Sequence, residues 1–222
     1  AGFHTIVADM KHDSPGFDSA KESVVCDIKD VDGIELGKSL TDIGYAGTDT
    51  ISPSEHKAYL EIHIEQGPIL QDENLQIGVV TLVQGMRWFR VGITGQSGHT
   101  GTYPMETRRD ALVAASHLIK AVQQIGLDQP LTGRATVGHI VVTPNSPNVI
   151  PGHVELMVEF RNPEVSVLDV MTDALNSALK ETADKHGVEI VSKQELDSGT
   201  INFTPELIDI VEQAAMACGM SS

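Results

Sequence analysis

Apolar and polar positions alternate most sharply between Tyr59 and Pro68, YLEIHIEQGP. Leu60, Ile62 and Ile64 interleave with Glu61, His63 and Glu65, and a period of two sends each set to its own face of a strand. The apolar set is expected in a core. The polar set shares the other face and stops at the Gln66-Gly67-Pro68 turn. Further along, RWFRVGIT directs Phe89, Val91 and Ile93 inward. The pattern then predicts a helix from Met105 to Ile125, with Ala111, Leu112, Ala115, Leu118, Ile119 and Val122 on one face and Gly126 at its stop. ATVGHIVV and HVELMVEF supply two more strands, the second with Val154, Leu156, Val158 and Phe160 on its core face. Ser166 is placed to cap a second long helix carrying Leu168, Met171, Leu175 and Leu179. That helix is expected to end at His186-Gly187, and Val188–Val191 closes the sheet.

The order from about Arg87 to Ser198 is βαββαβ, so the fold class is α/β (α+β) with a ferredoxin-like unit. The expected division is 1–85, then an inserted unit at 86–198, then a return at 199–222. Residues 1 to about 58 read as loop with short elements. Leu36, Leu40, Ile43 and Tyr45 fall there at roughly helical spacing. Thr204-Pro205-Glu206 starts a last helix by cap and N1 proline. Both ends look cut, as in a truncated chain.

Charge narrows the partners. The 222 residues carry 15 Lys+Arg against 31 Asp+Glu, a formal charge of -16. Nucleic acid and anionic membrane both call for a basic surface, so both are disfavoured. A small anionic substrate is not, because one local Arg outweighs a distant field. Cys26 and Cys218 form no CxxC and indicate neither a disulfide framework nor a thiolate metal site. Cytoplasm is the default compartment. No apolar run approaches the roughly 18 residues of a membrane span.

Several residues carry candidate chemistry. His63 between two carboxylates at a strand's end suits a metal ligand, although a solvated polar face gives the same spacing. His99 sits in Ser97-Gly98-His99-Thr100-Gly101, where glycines let the backbone carry an imidazole into a cleft. A donor there can stabilise an oxyanion, although a loop His bonded to a nearby carbonyl is the plainer reading. Asn148 precedes the turn into the strand that ends at Arg161. Arg161 can grip a carboxylate with two bonds, or simply pair with Glu159 or Glu164 on the surface. Arg108, Arg109 and Asp110 are expected in a helix's first turn, making ion pairs of little individual weight.

Three stretches in order, EIHIEQGP, GVVTLVQGMRWFRVGITGQSGHTGTYPMETRRDAL and NVIPGHVELMVEFR, resemble the N-carbamoyl-L-amino-acid hydrolases. That family includes allantoate amidohydrolases and β-ureidopropionases, and the likeness runs from about Asp32 to the C-terminus. It implies part of a metallopeptidase-like catalytic domain with an inserted dimerisation domain, hence a homodimer. It implies hydrolysis of the carbamoyl C–N bond of an N-carbamoyl amino acid or ureido acid. The cofactor implied is a pair of divalent ions (zinc, manganese, cobalt or nickel). By the same resemblance His63 is a metal ligand and Gln66, with Glu65, lies near metal or substrate. His99 contacts the reacting carbonyl, and Asn148 and Arg161 bind the substrate's carboxylate. Thr100 and Tyr103 depart from the family's HAGTTPM, which bears on pocket shape. Trp88 stands where carbamoyl-amino-acid hydrolases carry an aromatic and allantoate enzymes a basic residue. The family's other metal ligands have no counterpart here; His4, His12 and Asp13 do not reproduce their context. The rival reading is a non-catalytic fragment that only dimerises, with an allantoate amidohydrolase as a nearer alternative. An aminoacylase- or peptidase-like relative fits HIEQGP and NVIPG less well.

Overall fold

The structure is a computed structural model and describes residues 4–9, 41–44 and 57–221. In chain order the strands and helices up to the midpoint are β1 (His4–Asp9), β2 (Tyr59–Ile64), α1 (Ile69–Asp72), β3 (Ile77–Val80), β4 (Leu82–Val83), β5 (Gly85–Thr94), β6 (Gly98–His99) and α2 (Ala111–Leu127). There follow β7 (Arg134–Thr143), β8 (Val149–Ile150), β9 (His153–Asn162), α3 (Val165–His186), β10 (Glu189–Ser198), β11 (Ile201–Asn202) and α4 (Pro205–Ala217). They fall into two compact units: Gln84–Ile201, and Ala1–Val83 together with Asn202–Ser222.

In the discontinuous unit, three strands run in the order β2-β1-β3, with β1 antiparallel to β2 and parallel to β3. Leu207 and Val211 of α4 pack against Ala58 and Val79. The proline-led start of α4 is as the sequence reading has it, with Thr204 at the cap position. One expectation is overturned. Leu60, Ile62 and Ile64 are 54%, 69% and 59% exposed, so the apolar face of β2 is no core face here. The alternation is real, but no described element lies over that side. Of the helix read around Leu36 to Tyr45, only Thr41–Gly44 are described, two helical residues and a turn. The rest lies outside the described residues.

The continuous unit is a four-stranded antiparallel sheet in the order β10-β5-β9-β7. Its chain order βαββαβ with that strand order is the ferredoxin-like arrangement. Both helices cover one face. Phe89, Val91 and Ile93 of β5 and Val154, Leu156, Val158 and Phe160 of β9 meet Leu118 and Val122 of α2 and Leu168, Met171 and Leu175 of α3 in one core. Full burial of each such side chain contributes about 1.5–3 kcal/mol, so this layer dominates the unit's stability. Arg87 enters the same face and is buried between Asp169 and Asp197, at 2.7 and 3.1 Å.

The helix limits differ from those expected, for local reasons. Met105–Thr107 form a 3-10 turn, and Arg108 then takes extended backbone, which breaks the helix predicted from Met105. The true start is Ala111, where the Asp110 carboxylate accepts from the amides of Leu112 and Val113. Leu112 is left 37% exposed and Ala114 takes the buried place. Gly126 does not stop α2: a Cβ there would stand 2.8 Å from that of Ala135, so this glycine permits close approach to β7. Helix α3 begins at Val165, with Ser166 inside it rather than capping it. It ends at His186-Gly187 as read, Gly187 adopting φ 60°.

Candidate functional site

The chain leaves β5 at Thr94, opposite His153, and folds back along the loop that enters β9. β6 pairs with β8, setting His99 against Val149, and the Thr100 amide donates to the Asn148 carbonyl at 3.1 Å. Neighbours across such a ladder lie about 5 Å apart, so His99 and Asn148 share one corner of the unit. Tyr103 sets the glycine requirement: a Cβ on Gly98 would be 2.9 Å from its ring.

Both side chains at this corner are exposed and have one end fixed. The Gly101 amide donates to His99 Nδ1 at 3.0 Å. A neutral ring that accepts at Nδ1 must carry its proton at Nε2, which becomes a donor. Ser146 Oγ donates to Asn148 Oδ1 at 3.0 Å, leaving the Asn148 amide group as a second donor. A groove of ≈ 380 Å³ adjoins them, lined by Thr100, Arg108, Asn145, Ser146 and Pro147 among others. That is room for a small molecule.

Residues read as minor ion-pair partners turn out to brace this corner. Arg108 donates from Nη2 to the carbonyls of Thr100 and Tyr103, at 2.6 and 2.9 Å, and from Nε to Tyr103 at 3.1 Å. Arg109 donates to Gln96 Oε1 at 2.8 Å, and Gln96 Nε2 donates to the Tyr103 hydroxyl at 2.9 Å. Neither arginine makes an ion pair among the described residues. The missed signal was the extended backbone at Arg108. It lies between Pro104 and the capping Asp110, which leave little helix for Arg108 to join.

Arg161 stands apart. It lies eight residues along β9 from His153, about 26 Å at the usual strand rise. The Asn148–Arg161 pair implied by the resemblance is therefore not brought together within one copy of this unit. Arg161 Nε donates to Glu159, the surface pairing weighed as its plainer role, and the group is exposed. Trp88 is half-buried on the sheet face away from the helices, opposite Glu159 and Leu196.

His63 belongs to the other unit. Its Nδ1 lies 2.8 Å from the Ile64 carbonyl, which can only accept, so Nδ1 carries the proton and Nε2 keeps its lone pair. That is the tautomer of an imidazole ready to bind metal. Glu65 is not free to join it: its two oxygens accept from the amides of Ile69 and Leu70, at 2.9 and 3.0 Å, and so cap α1. Gln66 follows at φ 58°, exposed at the strand's end. Glu61 accepts from the Tyr59 hydroxyl at 3.1 Å. Burial first, then Glu61, raises the Tyr59 phenol. Among the described residues no three metal-binding side chains converge. His63 thus fits one ligand position, and the described residues do not make a metal site. No helix among them is long and apolar enough to cross a membrane.

Residues 82–187 match the family described as Peptidase dimerisation domain. An N-carbamoyl-L-amino-acid amidohydrolase from Rhizobium meliloti is 35% identical over 193 residues, covering 87% of this chain and 46% of the relative. An allantoate amidohydrolase from Escherichia coli strain K12 is 31% identical over 156 residues, covering 68% of this chain and 37% of the relative. The crystal structure of an amidase of the hydantoinase/carbamoylase family from Burkholderia vietnamiensis aligns at TM-score 0.70 and 41% identity, over 84% of this chain and 45% of that one. The chain spans about half the length of the relatives it matches. On the agreement of domain, relatives and fold, it belongs to the family of N-carbamoyl-L-amino-acid hydrolases and allantoate amidohydrolases.

Proposed function

We propose that the whole protein hydrolyses the carbamoyl C–N bond of an N-carbamoyl-L-amino acid or a related ureido acid. Water adds to the carbamoyl carbon and one C–N bond breaks to give an amine and a carbamic acid. Loss of carbon dioxide from the latter breaks the second C–N bond, leaving amino acid, carbon dioxide and ammonia in all. The observation that carries this reading is the His99 corner, where Nε2–H and the Asn148 amide are two oriented donors beside a small groove. His99 donates to the carbonyl oxygen as charge grows there, and such a donor is worth far more out of water than in it. Asn148 and Arg161 hold the carboxylate, and Gln66 lies near the substrate. His63 contributes one donor, Nε2, to a divalent metal (zinc, manganese, cobalt or nickel) whose other ligands must come from outside the described residues. In this reading 1–85 and 199–222 are catalytic, 86–198 dimerises, and the protein works in the cytoplasm. The names of the relatives support the chemistry, and one of them, an allantoate amidohydrolase, keeps the neighbouring substrate in view.

The separation of Arg161 from His99 adds a requirement. From His153, where the chain enters β9 from the His99 corner, to Arg161 is about 26 Å, which no small substrate spans. A two-fold pairing that runs the sheets of two copies antiparallel sets the His99 end of one beside the Arg161 end of the other. The test mixes two inactive variants of the whole protein, His99→Ala and Arg161→Ala. Random re-pairing should restore about a quarter of the wild-type rate, since half the dimers hold one intact site of two. A mixture as inactive as its parents rejects the shared site. A single variant that keeps full activity removes its residue from the mechanism.

A further inference from the structure

We propose that Arg108 is a positioning residue for His99, setting which ring nitrogen faces the groove. This rests on the reading of His99 as the carbonyl donor. Three bonds join the Arg108 guanidinium to two carbonyls, those of Thr100 and Tyr103. These residues bracket Gly101, whose amide fixes Nδ1 of His99, and the amides of Thr102 and Tyr103 return to the His99 carbonyl at 3.3 and 3.2 Å. The turn from His99 to Tyr103 is therefore closed on itself and locked from one side by a single planar fork. Held this way, the Gly101 N–H is aimed at Nδ1 and the Nε2–H tautomer persists. Without the fork the two carbonyls turn to water, the Gly101 amide loses its aim, and the ring is free to exchange tautomers.

The geometry also says why arginine is needed. A lysine ammonium is a single point and cannot hold two carbonyls in one plane. Nor is Arg108 a generic surface charge. It is half-buried, and among the described residues it meets carbonyls rather than carboxylates. Arg134 is the natural control, since its Nη1 donates to the carbonyls of Leu131 and Gly133 in a different loop.

The experiment has two arms. Long-range ¹H–¹⁵N NMR of the histidine rings in this chain should show His99 as the Nε2–H tautomer in wild type and Arg134→Ala. In Arg108→Ala and Arg108→Lys the two ring nitrogen shifts should move toward the free-histidine mixture, with unchanged thermal melting of the lysine variant marking an intact fold. In the whole protein, Arg108→Lys should lower kcat tenfold or more with KM within about twofold, because orientation rather than binding is lost. A folded Arg108→Lys with wild-type His99 shifts, or with wild-type kcat, overturns the proposal. Should His99→Ala retain full activity, the catalytic reading fails while the NMR arm still decides whether Arg108 sets the ring.

Discussion

At the scale of single residues, the largest difference between expectation and structure concerns Arg161, whose expected role came from the resemblance. If it clamps a carboxylate in the whole protein, Arg161→Lys replaces a two-bond fork by a point charge. The expected loss is about 1.5–3 kcal/mol, roughly ten- to a hundredfold in kcat/KM. A substrate whose carboxylate is masked as an amide should show no such difference. If Arg161 serves only Glu159, both substrates should change by less than about 0.5 kcal/mol, and equal kinetics on the free acid would retire the clamp. His186 offers a pH test. Burial first, then His117 and Lys185, lower its pKa, against a smaller opposite pull from Asp110. The His117 ring meets it edge-on at 4.5 Å, and its Nε2 is buried with no hydrogen-bond partner among the described residues. Below the ordinary histidine range, near about 6.5, the unfolded chain takes a proton that the folded chain still refuses. Stability should therefore fall with pH there, and His186→Leu should flatten the slope of urea midpoints between pH 7.5 and 5.5. Parallel slopes would exclude His186 as the source. The placing of His99 and Asn148 in turns beside short strands was legible, because glycine spacing and a pre-strand turn are local signals. Arg108 was not, because its partners are carbonyls, which every sequence contains.

At the scale of elements, core-facing alternation in β5 and β9 and the α3 stripe were readable, since both faces of each pattern are resolved by burial within one unit. The α3 end was readable from Gly187. The α2 start was misread because an apolar stripe does not mark where capping begins. Asp110 marks it, through two amides at 2.9 and 3.1 Å. Asp110→Ala should lower the stability of this unit by about 1 kcal/mol, seen as a lower urea midpoint with an unchanged slope. An unchanged midpoint would place the start of α2 elsewhere. Strand β2 failed in the opposite way. Its period of two is genuine, but a period names two faces and not which is covered.

At the scale of the whole molecule, the sheet of the 84–201 unit offers two edges. β10 shows Lys193, Glu195 and Asp197, charges that discourage pairing, and each edge strand carries one register shift. β7 shows Ile140 and Val141 at 46% and 44% exposure. A dimer formed through this unit is expected to use β7. Ile140→Lys with Val141→Lys should then give a monomer in sedimentation equilibrium at micromolar concentration, where the parent chain is expected at twice the monomer mass. A variant that stays dimeric points to a helix face instead. Net charge speaks against nucleic acid partners from sequence alone, but edge choice depends on which strands end up outermost.

The two ends of the 84–201 unit lie on neighbouring strands. Ser198 stands opposite Met86, and the Gly85 amide donates to Thr200 at 3.2 Å. To the surrounding chain, the folded unit is therefore equivalent to a tight turn. Unfolded, the same stretch becomes a long loop whose closure costs about 3 kcal/mol more than that of a four-residue turn. The discontinuous unit is thus completed at less cost when the continuous one is folded. The stability of the discontinuous unit is therefore coupled to that of the continuous one through where two chain ends meet, and damage to Leu175 or Phe160 would be felt by strands that touch neither.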